Sequence, residues 1–153
     1  MIQLLNFTTL DQSQKELVLS WRNHPDIRKW MMDESVISSD DHLNFIDFLH
    51  IKIDRCYFLV QRNNEYLGVI DLTSINAESA ELGIYANPDL RGVGSMLLST
   101  LIDYAKSLGL SRLIANVYNT NIRAQTLYKK FHFTQTKHIT HRTKKMSTLE
   151  LIL

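Results

Sequence analysis

Cysteine is almost missing from this chain: Cys56 is alone among 153 residues. A single thiol excludes an internal disulfide and leaves no cysteine cluster to hold zinc. Proline is nearly as scarce, with Pro25 and Pro88 only, and glycine occurs five times. There is no internal repeat, no low-complexity tract and no Pro/Gly/Ser-rich linker, so one domain over residues 1–153 is expected. No apolar run nears the roughly 18 residues that suggest a membrane span. Neither sign of charge dominates: 17 Lys and Arg stand against 16 Asp and Glu, a net +1. That balance argues against a dedicated nucleic-acid binder, whose footprint is a basic excess. Residues 1–7 lack the basic start and long apolar stretch of a signal peptide. The expectation is a soluble cytoplasmic protein whose partners are neither nucleic acid nor membrane.

What is present is an ordinary globular composition, 44% hydrophobic and 22% charged, which suits a real core. Residues 2–7 read as a strand. From Ser13 to His24, Leu17, Val18 and Trp21 share a helical face. Pro25 fits the first turn of a second short helix, and Ser39 fits the cap of a further one with Leu43, Phe45, Ile46 and Leu49 on its apolar side. The period then changes. Residues 56–61 and 66–73 are rich in β-branched and aromatic residues, and Asn63-Asn64 between them signals a hairpin. Strands are expected at 80–86 and 112–118, helices at 92–107 and 121–131, and two strands within 133–153. The order β-α-α-β-β-β-α-β-α-β-β defines an α/β class, a mixed sheet flanked by helices.

In a chain so sparing with glycine, the pair Gly92 and Gly94 stands out. Arg91-Gly92-Val93-Gly94-Ser95 lies between a predicted strand and a long predicted helix. Free N–H groups at a helix start, together with the positive end of the helix dipole, suit phosphate oxygens. The sequence lacks the GxxxxGK[ST] of a triphosphate-binding loop, and Leu97 stands where a dinucleotide fingerprint needs glycine. A tight turn that merely uses two glycines explains the segment equally well.

The segment from Glu81 to Gly94 resembles the acetyl-CoA motif of the GNAT superfamily of N-acetyltransferases, [Q/R]-x-x-G-x-[G/A]. Arg91 and Gly94 match it, and Met96 replaces the last small residue. Downstream, Asn121-Ile122-Arg123-Ala124-Gln125-Thr126-Leu127-Tyr128-Lys129-Lys130-Phe131-His132-Phe133 is similar to the superfamily's N-x-x-A-x-x-L-Y-x-K-x-G-F, with His132 in place of glycine. The resemblance implies a splayed sheet that admits acetyl-CoA, as cosubstrate, between the strands at 80–86 and 112–118. It implies that the pantetheine arm pairs with the backbone of Ile84, Tyr85 and Ala86. The pyrophosphate would rest on N–H groups of Arg91, Gly92, Val93, Gly94, Ser95 and Met96. Asn121 would hold the cofactor arm, although capping the following helix is an equal explanation. No metal is required.

Acetyl transfer to an amine needs an unprotonated amine, a stabilised oxyanion and a protonated leaving thiolate. Tyr128, at the motif position that points at the CoA sulfur, is the acid candidate. A phenol titrates at roughly 10 against about 8.5 for a thiol, so it arrives protonated. Glu81 is the candidate base, directly or through water. Alternation sets Glu81, Gly83 and Tyr85 on one strand face and Leu82, Ile84 and Ala86 on the other.

The acceptor is read from the N-terminal half. Trp21-Arg22-Asn23-His24-Pro25-Asp26-Ile27, Trp30-Met31, Asp41–Ile46, Arg55–Val60 and Gly68-Val69-Ile70-Asp71 resemble the nucleotide-sugar N-acetyltransferases of pseudaminic-acid biosynthesis, the pathway behind flagellin glycosylation. This implies a UDP-linked amino sugar, UDP-4-amino-4,6-dideoxy-N-acetyl-β-L-altrosamine, acetylated on its 4-amino group. Arg22 offers a planar fork for a diphosphate, His42 a second donor, and Thr73 and Ser74 hydroxyls for sugar or base. Each also has a structural explanation, as a surface ion pair, a first-turn residue or turn formers. The alternatives are a protein N-terminal acetyltransferase of the ribosomal-protein type and a non-catalytic acyl-CoA-binding module. A homodimer is left open.

Overall fold

Asp11 starts the first helix by a reciprocal cap: its carboxylate accepts from the Gln14 N–H at 2.8 Å, and the Gln14 side chain accepts from the Asp11 N–H at 2.9 Å. Two orphan donors are satisfied at once. The computed structural model describes residues 1–153. Strand β1 (Ile2–Asn6) leads through one 3-10 turn into helices α1 (Gln12–Arg22), α2 (Pro25–Arg28) and α3 (Ser39–Leu49). Strands β2 (Cys56–Arg62), β3 (Glu65–Thr73) and β4 (Ser79–Ala86) follow, then α4 (Gly94–Ser107), β5 (Arg112–Tyr118), α5 (Ile122–Lys130), β6 (Thr134–His141) and β7 (Lys144–Ile152). Three helices precede β2, as the patterns around Leu17, Pro25 and Ser39 predict, although the condensed element order counts only two. Ser38, one residue earlier than expected, caps α3, and Pro25 takes the first position of α2 as its missing N–H predicts. Helix α4 starts at Gly94 rather than at residue 92, because Gly92 has φ +74° and cannot be helical.

The turns follow backbone sterics. Asn63 and Asn64 both have positive φ, 48° and 68°, the conformation of a two-residue hairpin turn that matches strand twist. His132, just past the end of α5, has φ +71°. That left-handed position is why a glycine is usual in the motif it interrupts. His132→Gly removes the Cβ strain of about 1–2 kcal/mol and adds unfolded-state entropy of roughly 0.5–1 kcal/mol. The expected net is a small stabilisation, read as a slightly higher denaturant midpoint with an unchanged slope.

The seven strands form one sheet in the order β1-β2-β3-β4-β5-β7-β6. Every pairing is antiparallel except β4 with β5, which is parallel and covers only Ser79–Glu81 against Arg112–Ile114. Beyond those three pairs the two strands diverge, while β3 stays paired to β4 out to Ala86 and β5 to β7 out to Tyr118. The splayed mixed sheet expected from the sequence is therefore present. It opens as a V from Leu82 onward.

Strand alternation supplies two cores. Phe58, Val60, Ile70, Leu72 and Leu82 pack with Leu97, Leu98 and Leu101 of α4 on one face. Leu59 and Val69 pack with Val18, Trp21 and Ile46 of α1 and α3 on the other. Leu67 breaks parity and joins the α4 side, because the β2–β3 register slips between Val60 and Gln61 and a bulge re-aims one side chain. No helix is long and apolar enough to cross a membrane.

Candidate active site

The V between β4 and β5 is the mouth of a cavity of about 1020 Å³. Residues 91–95, Asn121 and Leu127 line it on the α4 side. Asp71, Glu81, Gly83, Tyr85 and Tyr128 line its centre, and Arg22, Trp30, Met31, Met32 and Asp33 its far end. A shallower concavity beside Asn119, His138 and Lys145 carries none of these groups.

Helix α4 begins without help. Val93, its N-cap, makes no side-chain cap hydrogen bond, so the N–H groups of Gly94, Ser95 and Met96 have no intrahelical acceptor. With Gly92 in the left-handed region, the loop leaves Gly94 and Ser95 at the cavity wall. Their N–H groups suit an anion such as a pyrophosphate. Met96 is a correction: it does not line the cavity, and its sulfur accepts from Arg62 Nη1 at 3.2 Å, so only its N–H is left to the helix start. On β4, the edges of Ile84, Tyr85 and Ala86 that face β5 have no strand partner, which suits an extended amide chain. Asn121 caps α5: its Oδ1 accepts from the Ala124 N–H at 3.2 Å. The capping explanation is thus present, and the residue also lines the cavity.

Tyr128 is only 9% exposed and packs against Phe133, ring centroids 5.3 Å apart. Burial, and then the negative charge of Asp71, pushes its phenol well above the ordinary tyrosine range. Glu81 is the third residue of β4, and its Oε1 accepts from Asn116 Nδ2 at 2.9 Å. The Thr148 hydroxyl donates to Asn116 Oδ1 at 2.6 Å and so fixes which end of that amide faces Glu81.

Of the residues expected at the acceptor end, Arg22 and Thr73 line the cavity. Arg22 Nη2 donates to the Asp33 carbonyl at 2.8 Å, whereas Nη1 is buried with no partner. Burial lowers its pKa, with Tyr85, Asp33 and Tyr57 opposing. It is therefore not a solvated surface arginine. Ser74 is a correction: it is exposed, has φ +49° and does not line the cavity, because the chain turns away after β3. His42 is a partial one. It borders the cavity, but its ring is buried between α1 and α3 with Nε2 2.9 Å from the Lys15 carbonyl, so that nitrogen serves the fold.

Burial lowers the His42 pKa below its ordinary value. A folded-state pKa below the unfolded value of about 6.5 gives stability that is present above that pH and lost as pH falls. Thermal melts of wild type and His42→Gln are expected to draw together between pH 7 and pH 5, as the wild type loses this advantage.

Two features escape the sequence reading. Residues 29–37 roof the far end. They are held by Asn23 through Ile37, by a Lys144–Glu34 ion pair, and by the Tyr118 hydroxyl donating to the Met31 carbonyl at 3.4 Å. The second is Asp71, a carboxylate in the middle of the otherwise apolar run Leu67-Gly68-Val69-Ile70-Asp71-Leu72. A charge at the centre of a buried strand is itself the signal that finds it. Its burial, with the charge of Glu81 added, raises its pKa to about 7.

A splayed sheet, an uncapped helix at its mouth and a tyrosine beneath it are features of one fold family. The chain belongs to the acetyltransferase (GNAT) family, whose model matches residues 21–133. Among individual proteins it is similar to acetyltransferase PseH of Campylobacter jejuni. The two share 42% identity over 135 residues, 88% of this chain and 85% of the relative. The crystal structure of that N-acetyltransferase in complex with acetyl coenzyme A superposes with a TM-score of 0.83 at 33% identity, covering 99% of both chains. Spermidine N-acetyltransferase from Vibrio cholerae, in complex with CoA and spermine, gives 0.87 at 21% identity over 99% of this chain and 95% of its own. That likeness is one of fold.

Proposed function

We propose that the chain transfers the acetyl group of acetyl-CoA to the 4-amino group of UDP-4-amino-4,6-dideoxy-N-acetyl-β-L-altrosamine, a step of pseudaminic-acid biosynthesis in the cytoplasm. The carrying observation is the 42% identity to PseH, which spans 88% of the chain and so includes acceptor-side segments as well as the acetyl-CoA motif. In this reading residues 1–153 act as one catalytic domain. The pyrophosphate of acetyl-CoA takes the free N–H groups of residues 91–96, and the pantetheine arm pairs along Ile84–Ala86 with Asn121 beside it. The acceptor enters from the roofed end. Arg22 Nη1, buried without a partner, gains one in the diphosphate, and Thr73 lies within the same wall.

The amine nitrogen attacks the thioester carbonyl, a C–N bond forms and the C–S bond breaks. Tyr128 gives the departing sulfur its proton and recovers one from the acylated nitrogen. Before attack the ammonium gives its first proton to a carboxylate at the centre of the cavity, for which Glu81 is the candidate that the sequence offers.

Incubation with acetyl-CoA and the amino-sugar nucleotide, followed by mass spectrometry and thiol assay, tests this. One acetyl group gained per free CoA thiol released is the expected result. Acetylation of N-terminal peptides instead indicates a ribosomal-protein-type enzyme. Acetyl-CoA binding without thiol release on any amine indicates a binding module. Either outcome overturns the proposal.

A further inference from the structure

Asp71 and Glu81 lie on the same face of adjacent strands yet are placed differently. Glu81 pairs with Ile114 at the closed end of the V, where β4 and β5 still hold together, and one of its oxygens is already engaged by Asn116. Asp71 is opposite Gly83, two residues further into the open part. Its carboxylate occupies the space a Cβ at Gly83 would fill: such an atom would come within 2.7 Å of Oδ1 and closer still to Oδ2. The missing side chain at Gly83 therefore lets Asp71 reach the cavity. By surface area the residue is partly exposed, toward that cavity, while protein encloses it on the other sides.

We propose that Asp71, rather than Glu81, takes the proton from the acceptor amine, with Glu81 held by Asn116 as a fixed negative charge beside it. This rests on the acyl-transfer reading above. Two neighbouring carboxylates with different surroundings divide their roles in this way. The ammonium N–H bond breaks and an O–H bond forms on Asp71. The neutral amine attacks, and Asp71 returns its proton to water after product leaves. The sum is an ammonium and acetyl-CoA giving an amide, a CoA thiol and one proton.

The groups facing Asp71 agree with the assignment. From β2 comes Tyr57, directly opposite Asp71 in the register, from β4 Glu81 and Tyr85, and from α5 Tyr128, while Cys56 lies on the other face of the sheet. Arg22 on α1 acts on Tyr57 and Tyr85 and is not among the charges that act on Asp71. The carboxyl thus has no cation to hold it ionised. Burial and Glu81 set it near pH 7, with no hydrogen bond contributing.

The test is the pH profile of kcat/KM for the amino-sugar nucleotide at saturating acetyl-CoA. Wild type is expected to lose activity below an apparent pKa near 7, a value that belongs to the interacting pair. Asp71→Asn should lower kcat/KM at pH 7 by about 10²- to 10³-fold and abolish that acidic limb. Glu81→Gln should keep the limb and move it to lower pH, since a repelling charge is gone. Retention of the wild-type limb by Asp71→Asn overturns the assignment, as does loss of the limb in Glu81→Gln alone.

Thermal melts guard against a merely structural effect. A carboxyl whose folded pKa is raised is most stabilising below its unfolded value and loses that as pH rises through 7. Asp71→Asn should therefore melt higher than wild type at pH 8, relative to the difference at pH 4. A carboxyl carbon of Asp71 that titrates near 4 in NMR of the wild type also overturns the proposal. If wild type ignores the amino sugar but acetylates peptides, the acceptor reading fails. The same profiles taken with the peptide then decide Asp71 by the same criteria. No turnover with any amine overturns both.

Discussion

Tyr128→Phe is expected to lower kcat by about 10²-fold, at the low end for loss of a general acid, with the KM for acetyl-CoA nearly unchanged. The split follows from where the two parts of the side chain lie. Its ring is core, stacked obliquely on Phe133 and packed with the residues beneath α4, and phenylalanine keeps all of that. In the proposed mechanism its hydroxyl meets the leaving sulfur. Burial and the charge of Asp71 both favour the neutral phenol, so it holds its proton at neutral and mildly alkaline pH. Without it the thiolate must leave unprotonated or wait for water. Loss of one hydroxyl costs a folded protein about 1 kcal/mol or less, so the melting temperature should move little. Steady-state kinetics at saturating substrates decide the matter. An unchanged kcat removes Tyr128 from the mechanism.

Arg22→Ala is expected to raise the KM for the acceptor by roughly 10- to 150-fold, from a charged hydrogen bond of about 1.5–3 kcal/mol. The acetyl-CoA KM should hold, since Arg22 closes α1 at the end of the cavity away from residues 91–95. A half-buried guanidinium is screened less than an exposed one, so added salt should narrow the difference only weakly. Arg22 also ties down the Asp33 carbonyl, and its removal loosens the roof as well as the contact. Arg22→Lys separates the two effects. It keeps the charge but not the planar fork, and should recover only part of the affinity. An acceptor KM unchanged in Arg22→Ala refutes the contact.

How much of this was legible in advance varies by element. The Asn63-Asn64 hairpin was readable because two residues tolerant of positive φ lie between two alternating runs. Strand β5 was readable to the residue for a similar reason: Arg112–Tyr118 alternates, and Gly109 and Ser111 bound it on one side. The start of α4 was misplaced by two residues because glycine at 92 was read as helix when its φ is positive. Ser74 was placed at the acceptor because a hydroxyl at a strand end is chemically apt, but strand-end composition does not say which way the next turn runs. Asp71 lies in the resemblance segment Gly68–Asp71, and a lone carboxylate inside LGVIDL is a signal of a site that composition alone does not interpret.

The sequence by itself determined the mixed sheet, the glycine turn leading into a long helix, and the tyrosine on the helix after β5. These depend on local patterns of period 2, period 3.6 and backbone sterics, which neighbouring residues set. Only the tertiary structure decided that β4 and β5 part after Glu81, that Gly83 yields its space to a carboxylate from β3, and that Arg22 keeps one buried nitrogen free. Those facts depend on which distant segments meet and on how much water their meeting excludes. A carboxylate's proton affinity or an arginine's missing partner is set by that exclusion.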